Sequence, residues 1–254
     1  MTQLILFNVF NGLVVGAFYA LMALGLSLIL NLTGVINFAH GGFLALGAFR
    51  RLYGRDPLYS LLLTFGLAFI FEDGTRFIWG AQSVPYQIPA SLTTALSPSL
   101  FFLTGYRVFM VVLVAAAVAG LFLLLTRTRL GMRIRAGTLD LETVSVLGVN
   151  VRILRNLNFG LGIYLAGLAG VLAAGMLGLQ PTIGTSLIMP SFVAIIVGGL
   201  GSLPGTLLGG ILIGVASGVT TVFFPSATEA VMYVMMGIVL LVLPRGLLGE
   251  EGRF

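Results

Sequence analysis

The chain has 254 residues, of which 58% are hydrophobic and only 8% are charged. Soluble domains carry about 25% charged residues, so this composition cannot supply an ordinary water-facing surface. Soluble enzymes, nucleic-acid modules and disordered chains do not fit, and the sequence reads as an integral membrane protein.

The 13 basic residues are all arginine, against eight acids, one histidine and no cysteine. Without lysine there is no Schiff-base lysine and no P-loop. Without cysteine there is no thiol nucleophile, disulfide or zinc-finger spacing, and a single histidine cannot build a two-histidine metal site. The arginines stand in short clusters between apolar runs, which fits the positive-inside rule better than a nucleic-acid face.

About 20 apolar residues cross a bilayer core. In chain order the candidate spans are 4–30, 34–49, 58–79, 100–126, 153–179, 187–200, 203–224 and 230–243. The expected fold is therefore all-α, a polytopic helical bundle of about seven to eight spans including short or broken helices. The second and sixth are short and contain glycine, so either could be broken or re-entrant. The first charge is Arg50, and residues 1–49 read as beginning with a retained span rather than a signal peptide. Arginines cluster at 50–55, at 127–155 and at 245–253; placing all three in the cytoplasm gives a consistent topology from Leu58 onward.

The segment 127–155 is the largest cytoplasmic feature. Asp140 can cap a short helix, Glu142 suits its positive first turn, and Gly148 is a plausible stop. Leu141, Val144 and Leu147 recur at threefold spacing and form an apolar stripe. Such a stripe either docks into a partner's groove or packs on its own protein.

Gly201, Gly205 and Gly209 recur at fourfold spacing, as do Gly210, Gly214 and Gly218. Small residues at that interval let helices approach closely in lipid. Close packing, or a hinge around Gly198, Gly199, Gly201, Pro204 and Gly205, is favoured over a nucleotide-binding loop. Asn37 and His40 lie in an apolar stretch and mark either a substrate path or an interhelical hydrogen bond. Glu72 and Asp73 precede Arg76 by four and three residues, so a helix pairs them on one face. A structural ion pair near the span's outer end is favoured over a gate. Ser226 and Glu229 have the spacing of a capping box before the last span.

Several ordered segments carry a resemblance. Gly34-Val-Ile-Asn-Phe-Ala-His-Gly41, Leu61-Leu-Leu-Thr-Phe-Gly-Leu67, Glu72-Asp73 with Arg76, Gly198-Gly-Leu-Gly-Ser-Leu-Pro-Gly205 and the tail from Pro244 are one set. Glu142 and Gly148 add the six-residue spacing of an ABC-importer coupling loop, with Thr143 and Val144 replacing its two alanines. Together they resemble the LivH-type permease of branched-chain amino-acid ABC importers, nearly end to end. The resemblance implies one permease domain over residues 1–254, in a bacterial or archaeal inner membrane. It also implies a homologous second permease, two ABC ATPase subunits and an external solute-binding protein as partners. ATP and magnesium would belong to the ATPases, with no cofactor and no catalytic residue on this chain. Glu142 and Gly148 would shape the coupling loop, Leu141, Val144 and Leu147 would dock it, and Arg133 and Arg135 would flank the contact. Family members have a further span before the arginines at 50–55, so about one crossing is missing here. The rival reading is a self-sufficient channel or secondary carrier.

Overall fold

The computed structural model describes residues 2–33, 57–85, 87–93 and 104–249. They contain α1 (Thr2–Thr33), α2 (Pro57–Trp79), α3 (Ala90–Thr93), α4 (Gly105–Arg127) and α5 (Arg129–Leu139). Then follow α6 (Leu141–Val146), α7 (Val151–Leu177), α8 (Ile183–Gly198), α9 (Leu203–Phe223) and α10 (Ala230–Val242). Val84 and Leu179 form an isolated antiparallel bridge and exchange N–H···O bonds of 2.9 Å. This is an all-α, polytopic membrane bundle. The expected second span at 34–49, with Asn37 and His40, and the arginines at 50–55 lie outside the described residues.

Helices α1, α4, α7 and α9 are long and apolar enough to cross a membrane. Helix α2 has 23 residues but carries three charges near its end. Helices α8 and α10 are short, with 16 and 13 residues. Pro190 sits inside α8, where it removes one backbone donor.

Helix α1 is apolar all round, the pattern of a helix buried on every side. Accordingly 78% of its most apolar window is buried, against 28–33% for α4, α7 and α9, which makes α1 the axis of the bundle. Its closest neighbour is α9. A Cβ built on Gly210 would come within 2.5 Å of the Ala20 nitrogen, and one on Gly214 would land on the Gly12 carbonyl. Only glycine permits that approach, so the stripe Gly210, Gly214 and Gly218 is the α1–α9 contact. Helix α7 meets another side of α1, where the buried Asn158 Nδ2 donates to the Leu28 carbonyl at 2.6 Å. An interhelical bond of this kind contributes about 0.6 kcal/mol on average.

The helices run in alternation between two ends. At one end α1, α4, α8 and α10 finish and α7 and α9 begin; Arg127, Arg129, Arg133, Arg135, Arg152, Arg155 and Arg245 gather there. At the other end Arg107, at the start of α4, lies 5.2 Å over the ring of Phe7, near the start of α1. Helix α2 climbs toward that second end. Its Leu67 packs on Ile29 and Phe159, and Glu72 further along reaches Thr185 of α8. Helix α1 therefore ends at the arginine end.

The sequence expected Ser226 and Glu229 to cap the last helix, and they do not. Ser226 lies in a 3-10 turn, Pro225–Ala227, and Glu229 makes no side-chain cap bond to α10. The proline-led turn sets the entry into α10 instead.

Candidate functional site

Between α4 and α7 the chain folds into two short helices at the arginine end. Thr128 caps the first by accepting from the Gly131 N–H at 3.1 Å. Gly131 itself lies against the backbone of Leu124 and Leu125, so α5 turns back tightly on the end of α4. Ile134 and Gly137 face inward, with Gly137 against the Leu32 side chain at the end of α1. Arg133 and Arg135 lie on exposed positions of α5.

Asp140 separates α5 from α6 and caps the second helix. Its Oδ1 accepts from the N–H groups of Glu142 and Thr143 at 2.9 and 3.0 Å, and its Oδ2 accepts from the Thr143 hydroxyl. These bonds, the Thr143 hydroxyl first, hold the Asp140 carboxyl below the usual carboxylate range. Glu142 is exposed in the first turn of α6, where a carboxylate favours the helix dipole. Gly148 follows the C-cap Leu147 with φ of +83°, a left-handed conformation that glycine takes without cost. Nothing lies within 4 Å of where its Cβ would stand, so this turn faces open space.

The stripe Leu141, Val144 and Leu147 does not present itself outward as a unit. Val144 is 5% exposed and belongs to the core around α1, and Leu141 packs against the same core. Threefold spacing carries Leu147 past the end of this six-residue helix, where it is 76% exposed. Its outward neighbour is Val146, at 85%, a residue the spacing argument missed. The outward-pointing exposure of two consecutive residues at the C-terminal turn cannot be read from a helical period. Leu141 and Val144 seat the helix, while Val146 and Leu147 offer apolar surface beyond it.

Asp140→Ala should fray α6, whereas Asp140→Asn or Asp140→Ser should leave most of it formed, because both side chains cap. Faster amide exchange at Glu142 and Thr143 in the alanine variant checks the cause. The folded pKa is depressed, so the cap's ionic contribution is complete above the unfolded value of about 3.9 and fades only as pH falls through the lower folded value. The order of α6 should consequently show no change from this group between about pH 5 and 8.

The turn joining α8 to α9 lies beside this segment. Gly198 and Gly205 have their backbones in direct apposition, and Gly209 packs on the Ala194 carbonyl. Gly199 and Gly201 take φ of +106° and +92°, and Pro204 occupies the first turn of α9 after the cap Ser202. Asn31 Nδ2 donates to the Gly201 carbonyl at 3.3 Å. From the opposite side the tail clamps the turn, as Leu247 and Leu248 N–H groups donate to the carbonyls of Val197 and Gly198 at 2.9 Å. Glycine spacing alone did not foreshadow this clamp, whose partners lie some fifty residues apart by number.

At the opposite end Arg76 Nη2 lies 2.5 Å from Glu72 Oε1, and Arg76 Nη1 lies 3.8 Å from Asp73 Oδ1. Glu72 also accepts from the Thr185 hydroxyl of α8 at 3.0 Å, a link that local spacing could not reveal. Arg76 and Asp73 are both well exposed, so their pair is worth about 0.2–1 kcal/mol, and Asp73 stays available to Arg76 when Glu72 is changed. Glu72→Gln should therefore leave the protein's activity in the membrane within about twofold of the parent. A tenfold loss in the same assay would give Glu72 a working role instead.

Among the described residues no group of acids or histidine could hold a metal ion. The parts define a polytopic membrane protein whose arginine end carries a capped two-helix segment braced on the bundle axis. The family model described as "Branched-chain amino acid transport system / permease component" matches residues 8–71 and 51–243, and the chain belongs to that family. It is 28% identical to the high-affinity branched-chain amino acid transport system permease protein BraD of Pseudomonas aeruginosa, over 94% of each chain. With the permease LivH of Escherichia coli K12 it shares 26% identity over 96% of this chain and 95% of that one. A probable LivH of Methanocaldococcus jannaschii is 28% identical over 92% and 89%. No solved structure matches the chain. The alignment with BraD runs over 289 residues, while 94% of 254 is about 239, so about fifty aligned positions have no residue here.

Proposed function

We propose that this chain is the translocation subunit of an ATP-driven importer for branched-chain amino acids or related small solutes. In that reading an external binding protein delivers the solute, and a homologous permease completes the pathway in a bacterial or archaeal inner membrane. Two ATPase subunits, carrying ATP and magnesium, sit under the arginine end. The observation that supports it most is the pairing of family membership with an exposed, capped helix between α4 and α7. Val146 and Leu147 enter a groove of the ATPase, Glu142 and Gly148 shape the turn, and Arg133 and Arg135 flank the contact. Leu141 and Val144 transmit movement, because they join α6 to the core around α1. ATP-driven closure of the ATPases then moves the segment and shifts the bundle between outward-facing and inward-facing states.

Native mass spectrometry of the chain, purified gently from its own membrane, tests this directly. Two ATPases and a second permease are expected in the complex. A chain that transports solute in liposomes without them would overturn the proposal in favour of a channel or secondary carrier.

A further inference from the structure

A cavity of about 310 Å³ opens at the arginine end, between α1, α4, α5 and the α8–α9 turn. Leu28, Phe122 and Leu203 supply apolar walls, and Arg135, Asn31 and Ser202 supply polar atoms. Among the described residues no acid lines it and Arg135 has no ion-pair partner. A guanidinium beside apolar walls selects an anion with a hydrocarbon body. Its planar fork matches a carboxylate, which it can hold by two parallel hydrogen bonds. The volume lies at the small end of ligand pockets, about 300–1,000 Å³, and suits a body of a few carbons.

We propose that this cavity binds a short aliphatic carboxylate, with the carboxylate on Arg135 and the hydrocarbon among Leu28, Phe122 and Leu203. A free amino acid with an aliphatic side chain and a short-chain fatty acid share that chemistry. Arg135 belongs to α5, so an occupant ties this helix to α1 and to the α8–α9 turn and resists displacement of the segment. That consequence rests on the coupling role proposed above; the binding does not.

The test uses the full chain, with any subunits that co-purify, in nanodiscs of zwitterionic lipid and radiolabelled 4-methylpentanoate as probe. Saturable binding is expected, with no competition from leucinamide, which lacks the carboxylate. Arg135→Gln and Thr126→Phe, which narrows the cavity, should each weaken binding at least about tenfold, and Arg133→Gln should not. Competition by leucine identifies an amino acid as an occupant, and its failure with binding intact identifies the fatty acid. The proposal is overturned if leucinamide displaces the probe, if either cavity variant binds like the parent, or if anionic phospholipid alone occupies the site. ATP-driven uptake by the same preparation is scored separately: its absence with binding retained counts against the importer reading and leaves this one standing.

Discussion

Gly148→Trp is expected to abolish ATP-driven uptake while the protein stays folded in the membrane. Two effects would act at this position, and they can be separated. Any residue with a Cβ pays for the left-handed φ of +83°, a cost of about 1–2 kcal/mol. That strain alone loosens the last turn of α6 and the placing of Val146 and Leu147. The second effect is bulk. Because nothing lies within 4 Å of the Cβ position, an indole projects outward without disturbing the bundle. It would stand beside the two most exposed apolar side chains of the turn, the surface proposed above to receive an ATPase.

Gly148→Ala carries the strain with little bulk, and Gly148→Asn relieves much of the strain, since asparagine tolerates this backbone region better than other residues. The expected order of uptake is therefore parent, asparagine, alanine and tryptophan, with the last indistinguishable from background. Proteoliposome uptake with leucine, together with ATPase co-purification, provides the measurement. A tryptophan variant that retains both ATPase binding and uptake would remove the turn from the coupling surface.

Much of this arrangement was legible in the amino-acid sequence, for reasons that differ from part to part. Long apolar runs locate spans because lipid demands internally satisfied backbone, so α1, α4, α7 and α9 were plain. The cap at Asp140 and the stop at Gly148 were legible because both depend on local backbone geometry. The inward turn of Val144 was not, since a stripe outside the lipid looks the same whether it meets a partner or its own core. Thr185 as a partner of Glu72, and Asn158 as a donor to α1, depend on contacts between residues 113 and 130 positions apart. No periodicity encodes those. The glycine stripes announced close packing, but not that one would face α1 and the other α8.

Gly214→Leu is expected to remove most of the folded protein from the membrane. The Cβ of any substituent would meet the Gly12 carbonyl and the backbone of Gly16, and backbone cannot rotate away as a side chain can. Helix α9 must then move off α1 along the line Gly210, Gly214 and Gly218, which exposes the axis of the bundle on one side. In lipid little apolar driving force restores the contact, because association depends on close packing and hydrogen bonds. Overpacking a core typically costs about 1–3 kcal/mol; separating two backbones in contact should exceed that range. Gly120→Leu provides the matched control: Gly120 is in a long helix, is exposed, and has nothing within 4 Å of its Cβ position. Leucine there improves helix propensity by nearly 1 kcal/mol and should be tolerated. Yield and monodispersity after mild solubilisation compare the two. Equal recovery of both variants would mean that α9 can leave α1 without loss of the fold, and that the glycine stripe serves movement rather than cohesion. A hinge of that kind should show itself in uptake, which would fall in Gly214→Leu even where recovery did not.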